Sequence, residues 1–292
     1  MGIGDIRSAA VPPPRDGRPD TAVTVIRPPG RWPGLGLAEL WRFRSICLVL
    51  AKRSLKARYR QTFLGVGWTV IQPVLLMIVF TVFFGLLARS PSQGLPHPVF
   101  YFLGLLPWQI MVRTLNEGSS SVVANSALIN RVYFPRAYLP FATGISAMVD
   151  FTFALLALLI LLVLFGIVPG VLVVLVPALV LLALAAGIGV ALWLSALNAA
   201  YRDVAQLLPS LTQTWFFASP ILYPSEIVPE AFRLLYYLNP MALIIDGFRS
   251  GFAGTPAPPL EAWLVGGTVS ILLLLSGYVF FRRREPTFAD VV

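Results

Sequence analysis

The chain has 292 residues, of which 57 % are hydrophobic and 12 % charged, about half the charged share usual for soluble domains. A soluble protein of that composition would lack the polar surface to stay dissolved, so the chain reads as an integral membrane protein. Its net charge of +9 must then be read by position, because basic charge beside apolar spans reports orientation before it reports a polyanionic partner.

Residues 1–35 contain seven prolines and no apolar core segment. No signal peptide is expected there, and VPPPRDGRPD reads as part of a disordered tail. Over 36–61 the pattern changes. Leu37, Leu40, Trp41, Phe43, Ile46, Cys47 and Leu50 recur at helical spacing, with Arg42, Arg44, Lys52, Arg53 and Lys56 between or after them. This predicts an amphipathic helix lying in the membrane interface, with Trp41 and Phe43 in acyl chains and Lys52, Arg53, Lys56, Arg58 and Arg60 toward headgroups and cytosol. The alternative is a half-buried helix packed on the protein's own cytoplasmic surface. Five cations lie between Lys52 and Arg60, a density that suits either a nucleic acid or an anionic membrane leaflet.

Residues 62–292 carry runs long enough to span, at about twenty residues each. They are Phe63–Leu87, Val99 to about Ala124, Leu139–Val168, Val171–Leu197, about Val204 to Leu222, and Ala262–Phe281. The second run turns polar in its last third, and Pro169-Gly170 separates the third from the fourth. Six spans put both termini on one side. With the amino terminus inside, the cytoplasmic stretches 42–60, 125–138, 199–206 and 282–284 carry thirteen Lys and Arg, against three in 88–98, 166–171 and 223–261. That bias places both termini in the cytoplasm. The basic strip therefore faces the anionic inner leaflet, and nucleic acid drops out as its partner.

Three charges fall inside spans: Arg113 and Glu117 in the second, four residues apart and so on one helix face, and Asp150 in the third. Counting 1.5 Å per residue, Arg113 lies about 9 Å and Asp150 about 16 Å above the inner edge of a core about 30 Å thick. An isolated charge at such depth costs at least about 2.5–3.5 kcal/mol. Arg113 is therefore expected to pair with Glu117, Asp150 or both; the competing reading puts it on a channel wall.

The loop NSALINRVYFPRAYLP between the second and third spans carries Tyr133, Phe134 and two arginines in a few residues, a compact knob suited to docking. The turn Tyr201–Arg202–Asp203 is a second short cytoplasmic feature. On the other side, YPSEIVPEAFRLLYYLNPMALIIDGFRSGF is too long for a simple loop and too polar to span. Asn239-Pro240 divides it into two short apolar-faced helices that dip back into the outer leaflet. Trp215, Phe216, Phe217, Tyr223, Tyr236 and Tyr237 cluster toward the outer half, with Trp68 and Trp108 at the starts of the first two spans. Such rings form belts at the membrane–water interface.

The residues offer little catalytic chemistry. A phosphate-binding loop needs Gly-x-x-x-x-Gly-Lys-Ser/Thr, and Lys52 and Lys56, the two lysines, sit in no such context. One histidine, His97, and one cysteine cannot build a usual zinc site; His97, between two prolines, reads as a solvated loop residue. No two carboxylates form an acid/base pair by spacing.

Five stretches together resemble the membrane subunit of polysaccharide-exporting ABC transporters of the ABC-2 type, the permeases for O-antigen, capsule and teichoic acid. They are LKARYRQTFLGVGWTVIQP, FYFLGLLPWQ, NSALINRVYFPRAYLP, NAAYRDVAQLLPSLTQTWFFASPILYP and NPMALIIDGFRSGF, covering most of residues 50–252 in family order. The tail 1–35 lies outside the resemblance. The resemblance implies an all-α permease with no catalytic residues, no metal and no cofactor of its own. Its homodimer encloses a channel in the bacterial inner membrane and works with two copies of a separate ATP-binding subunit that uses ATP and Mg. It implies a lipid-linked glycan as cargo. It assigns Asn130, Arg131, Val132, Tyr133, Phe134 and Arg136 to the loop that couples to that subunit, with Arg202 and Asp203 as a second contact. Trp68, Trp215, Phe216, Phe217, Tyr223, Tyr236 and Tyr237 become candidates for the channel and its outer gate. An ABC-2 exporter of a lipid or drug, or a membrane transferase acting on polyprenyl-linked sugars, remains the alternative.

Overall fold

The computed structural model describes residues 44–60, 65, 67–132 and 134–288. The expected tail 1–35, Trp41 and Phe43 of the expected interfacial helix, and Tyr133 of the expected docking loop lie outside the described residues.

Every regular element among the described residues is helical. In chain order they are α1 (Arg44–Tyr59), α2 (Gly67–Phe80), α3 (His97–Ala124), α4 (Ser126–Ile129), α5 (Tyr138–Leu164), α6 (Val176–Ala200), α7 (Asp203–Phe217), α8 (Glu230–Tyr236), α9 (Pro240–Ala253) and α10 (Leu260–Arg284). Helix α2 runs on into a π-helical stretch, Thr81–Leu87, and a 3₁₀ turn, Val171–Leu175, leads into α6. Among the described residues four helical stretches are long and apolar enough to cross a membrane: Gly67–Leu87, Tyr138–Leu164, Val171–Ala200 and Leu260–Thr287. They leave large apolar side chains on the surface, among them Leu87, Leu164, Val171 and Leu264, as lipid-facing helices do.

The other two expected spans differ for separate reasons. Helix α3 is long, 28 residues or about 42 Å by the helical rise, but polar toward its end. It is the central helix, packed by α2, α5, α6, α7 and α9, so Thr114, Ser119 and Ser121 are buried in protein, while Asn116 and Ser120 are exposed. Helix α7 has 15 residues, about 22 Å. Helix α9 is buried almost throughout against α3, α6 and α10, which satisfies the condition for short, non-spanning backbone at depth.

Apolar packing forms two clusters in sequence along the bundle axis. The distal one takes Phe102, Leu106 and Met111 of α3, Phe151 and Leu158 of α5, Leu179 of α6 and Ile244 and Phe248 of α9. The proximal one takes Leu50 of α1, Val122 at the end of α3, Leu139 at the start of α5, Leu192 of α6 and Phe281 of α10. Between them α3, α5 and α6 cross a layer of small and polar residues that includes Thr114, Ser119, Ser146 and Asp150. Apolar burial gives no net drive between helices in lipid, so close backbone contact carries more of the cohesion. Gly189 of α6 and Gly277 of α10 supply one such contact: a methyl on Gly277 would collide with the Gly189 carbonyl.

His97 is not a solvated loop residue. It opens α3, its ring lies against Gly85 and Tyr101, and Nε2 is 3.1 Å from the Ser90 carbonyl oxygen. The missing side chain at Gly85 makes room for the ring, and this pins the π-helical end of α2 to the start of α3.

Candidate functional site: a charged junction at the proximal end

Helix α1 reaches the bundle through Cys47, Leu50 and Ala51, buried against the proximal cluster. Burial pushes the Cys47 thiol up to about 11. Leu48 and Val49 on the opposite side are exposed. The helix therefore has one face on the protein and one open apolar strip. Its cations divide. Lys52, Arg53, Lys56 and Arg60 are exposed, but Arg58 turns inward.

Asp150 is the centre of what Arg58 meets. Its side chain is 5 % exposed. Oδ2 accepts from Arg58 Nη1 at 2.6 Å and from Arg113 Nη1. Oδ1 accepts from the Tyr59 hydroxyl and from Thr69 Oγ1 at 3.5 Å; the Tyr59 and Thr69 oxygens are 3.2 Å apart. The second arm of Arg58 donates to Glu117 Oε2. Two guanidiniums and two carboxylates thus close a neutral quartet that ties α1 and the start of α2 to α3 and α5. Charge-assisted bonds of this kind are about twice as strong as neutral ones, and they work against the cost of taking the ions out of water.

Arg113 meets Asp150, one of the two partners expected for it, while Glu117 takes Arg58, which was not expected. Arg58 was read as a headgroup-facing cation; it is instead an internal counter-ion. The reason is arithmetic that the sequence contains: Arg113, Glu117 and Asp150 sum to one net negative charge, so a further cation must come from outside the spans. Tyr59 and Thr69 carried no such signal, since each is one of several hydroxyls near the first span.

The loop between α3 and α5 is anchored at both ends. Ile129 and Phe134 are buried in the proximal cluster. The Arg136 backbone N–H donates to Glu285 Oε1 at 2.7 Å, and its guanidinium donates to the Glu285 carbonyl. Contrary to the expected exposed knob, Phe134 and Arg136 fold into the bundle, because the proline after Phe134 turns the chain back. Asn130, Arg131 and Val132 remain exposed at the tip of α4. Arg202 and Asp203 are exposed as well, and Arg202 lines a cleft of about 440 Å³ with Ser120, Ser126 and Asn198. The structure brings these two features to one end of the molecule.

The aromatic candidates scatter. Trp68 and Phe217 are exposed, Tyr237 is buried, and Trp215, Phe216, Tyr223 and Tyr236 are half-buried. Phe216 packs edge-on against Trp108 and tilted against Phe80. Tyr223 donates to the Phe217 carbonyl at 3.3 Å. Asn239 organises this region, a role sequence reasoning missed beyond reading Asn239-Pro240 as a break. Its Oδ1 caps α9 through Met241 N and accepts from Trp215 Nε1 at 2.8 Å; its Nδ2 donates to Ala218 O and Ser219 Oγ.

Among the described residues no group of three His, Cys, Asp or Glu could hold a metal ion. What the junction can do is mechanical: it couples the position of α1 to the middle of α3 and α5.

A family model described as ABC-2 type transporter matches residues 46–253. The chain is 34 % identical over 257 residues to an O-antigen export system permease protein RfbA of Myxococcus xanthus, covering 87 % of this chain and 98 % of that one. A Klebsiella pneumoniae protein of the same description is 26 % identical, over 85 % of this chain and 95 % of the relative. The polysialic acid transport protein KpsM of Escherichia coli is 24 % identical, over 80 % and 91 %.

Proposed function

The chain belongs to the ABC-2 type transporter family, and from that premise we propose that it is the membrane subunit of an ATP-driven exporter that carries a lipid-linked polysaccharide of O-antigen type outward across the inner membrane. The observation that carries this reading is the likeness to O-antigen permeases over nearly their whole length. Two copies form the channel, and each works with an ATP-binding subunit that supplies ATP and Mg chemistry. Six spans are α2, α3, α5, α6, α7 and α10, with both termini cytoplasmic and α8 and α9 folding back at the outer mouth. The charge bias of the loops supports that orientation, and the burial of the short α9 inside protein supports its re-entrant placement.

Asn130, Arg131 and Val132, with Arg202 and Asp203, present the face on which the ATP-binding subunit acts. Phe134 and Arg136 make the loop rigid, so a push at its tip moves the proximal ends of α3, α5 and α10 together. Helix α1 moves with them through Arg58. Helix α1, within the proposed interfacial element 36–61, is then latched to the spans, with residues 62–292 as the proposed translocating domain.

Co-reconstitution of the chain with its ATP-binding subunit tests the reading. Lipid-linked polysaccharide is expected to stimulate ATP hydrolysis and appear on the far side of the vesicle. Stimulation by drugs or single lipids alone would overturn it.

A further inference from the structure

A second polar cluster lies at the distal end, apart from the charged junction. The loop between α2 and α3 meets the 3₁₀ turn Ser225–Ile227 there, and Gln93 Nε2 donates to Glu226 Oε1 at 2.9 Å. Gln93 holds φ at 55°, a left-handed conformation that costs a non-glycine residue and clusters at functional positions. Together with α8, α9 and the strand-like run of prolines before α10, these segments enclose a cavity of about 180 Å³. Gln93, Ser225, Glu226, Arg233, Tyr237 and Asp246 line it. At 30 Å³ per water it holds about six waters, room for one sugar ring.

Several polar atoms of the lining are unsatisfied. Gln93 Oε1, Asp246 Oδ1 and Ser225 Oγ are shielded from solvent and none makes a full hydrogen bond, although the Ser225 hydroxyl lies near enough to Asp246 to stabilise its carboxylate; Arg249 Nε and Nη1 behind them are unpaired as well. Behind Asp246 stands Arg249, fully buried, stacked 3.6 Å over the Phe100 ring and bonded to the Ile221 carbonyl. Its Nη1 is 3.8 Å from Asp246 Oδ1, an ion pair too long for a hydrogen bond. Buried acceptors are paired as a rule, and several unpaired ones on one cavity need donors from elsewhere.

The arrangement of the carboxylates chooses the donor. Arg249 stands 3.8 Å from Asp246 and Arg233 stands 3.6 Å from Glu230, and among the described residues no three His, Cys, Asp or Glu side chains converge as the ligands of a metal ion would. A neutral ring bearing several hydroxyls supplies donors to Asp246, Gln93 and Ser225 and acceptors to Arg233 at once. Tyr237 adds an apolar ring wall to the same cavity.

We infer that this cavity is a saccharide-binding site that holds one sugar ring at the distal face, with Asp246, Gln93 and Ser225 accepting from its hydroxyls and Arg233 donating to it. The natural ligand, a unit of the exported glycan, rests on the function proposed above; the cavity's chemistry does not.

The test uses the full chain in lipid nanodiscs and saturation-transfer NMR with glucose, galactose, mannose and N-acetylglucosamine, and open-chain sorbitol as control. At least one ring sugar is expected to give a saturable signal that sorbitol does not. Ser225→Ala and Asp246→Asn are expected to weaken it about tenfold, the loss of one good hydrogen bond to a charged or buried group. Gln93→Asn, which keeps an amide tolerant of left-handed φ but shortens its reach, should weaken it too. If Asp246→Asn does not fold, Ser225→Ala and Gln93→Asn decide. No saturable signal, or one unchanged in the folded variants, overturns the site. Polysaccharide export is measured in parallel: export without sugar binding refutes the site alone, and sugar binding without export of any glycan refutes the proposed function alone.

Discussion

Arg58 Nη1 lies 2.6 Å from Asp150 Oδ2, although the two residues are 92 positions apart, and through this bond a helix outside the spans holds a carboxylate deep inside them. Replacing Arg58 by Met leaves Asp150 and Glu117 with Arg113 alone. Removing one partner of a buried ion pair costs about 3–5 kcal/mol, and the partial exposure of Arg58 and Glu117 puts the expected loss at the low end. Adding Glu117→Gln should recover part of it. Lys56→Met, an exposed change in the same helix, should stay within about 0.5 kcal/mol. Thermal unfolding of the purified chain in detergent reads all three; equal melting of Arg58→Met and Lys56→Met would show that the junction carries no stability.

The loop between α3 and α5 separates two effects. Phe134→Ala empties a buried ring position and is expected to cost about 3–5 kcal/mol. Arg131→Ala, at the exposed tip, should leave the melting point unchanged yet lower export more than basal ATP hydrolysis by the complex. A normal export rate for Arg131→Ala removes that tip from the coupling path.

Orientation is read by thiol labelling in intact cells. Ala257 is exposed, whereas Thr255 is buried, so Ala257→Cys is the suitable outer probe and Arg131→Cys the inner one. An impermeant maleimide should label the first and spare the second. Native Cys47, buried and with its thiol pushed up to about 11, holds almost no thiolate at neutral pH and gives little background. Labelling at position 131 would reverse the assigned sides.

Two glycines of one helix should behave oppositely. Gly277→Ala forces apart the backbones of α6 and α10 and is expected to destabilise strongly. Gly267 has open space where a methyl would go, so Gly267→Ala should be neutral or gain up to about 1 kcal/mol of helix propensity. Melting curves of the two variants, measured side by side, settle it.

What could be read from residues alone follows the range of the interactions. Apolar runs mark α2, α5, α6 and α10 because lipid contact requires them locally. Helix α3 was legible in length but not in role, since its polar third becomes intelligible only once five neighbours surround it. Depth along two antiparallel spans was enough to bring Arg113 near Asp150. The Arg58–Glu117 bond depends on where α1 docks, and nothing local to either residue reports that. Phe134 shows the limit of reading aromatics on short loops: the same ring serves as docking knob or as anchor, and the backbone turn at Pro135 decides. Asn239 was legible as a break and not as a four-bond staple, because three of its partners come from the end of α7 and the residues just after it.

The order in which the charged residues emerge during synthesis has its own consequence. On the six-span reading Arg58 leaves the ribosome first and waits in the interface, α3 follows with Arg113 and Glu117, and Asp150 comes 37 residues after Arg113. At about 2.5–3.5 kcal/mol for each mid-bilayer charge, α3 is a poor candidate to partition into lipid by itself. It must be retained beside the insertion machinery until α5 arrives with the missing carboxylate, so that the two enter as a pair. On that reading the quartet proposed to transmit motion would also, at birth, favour holding an incomplete chain until both of its carboxylate-bearing helices are present.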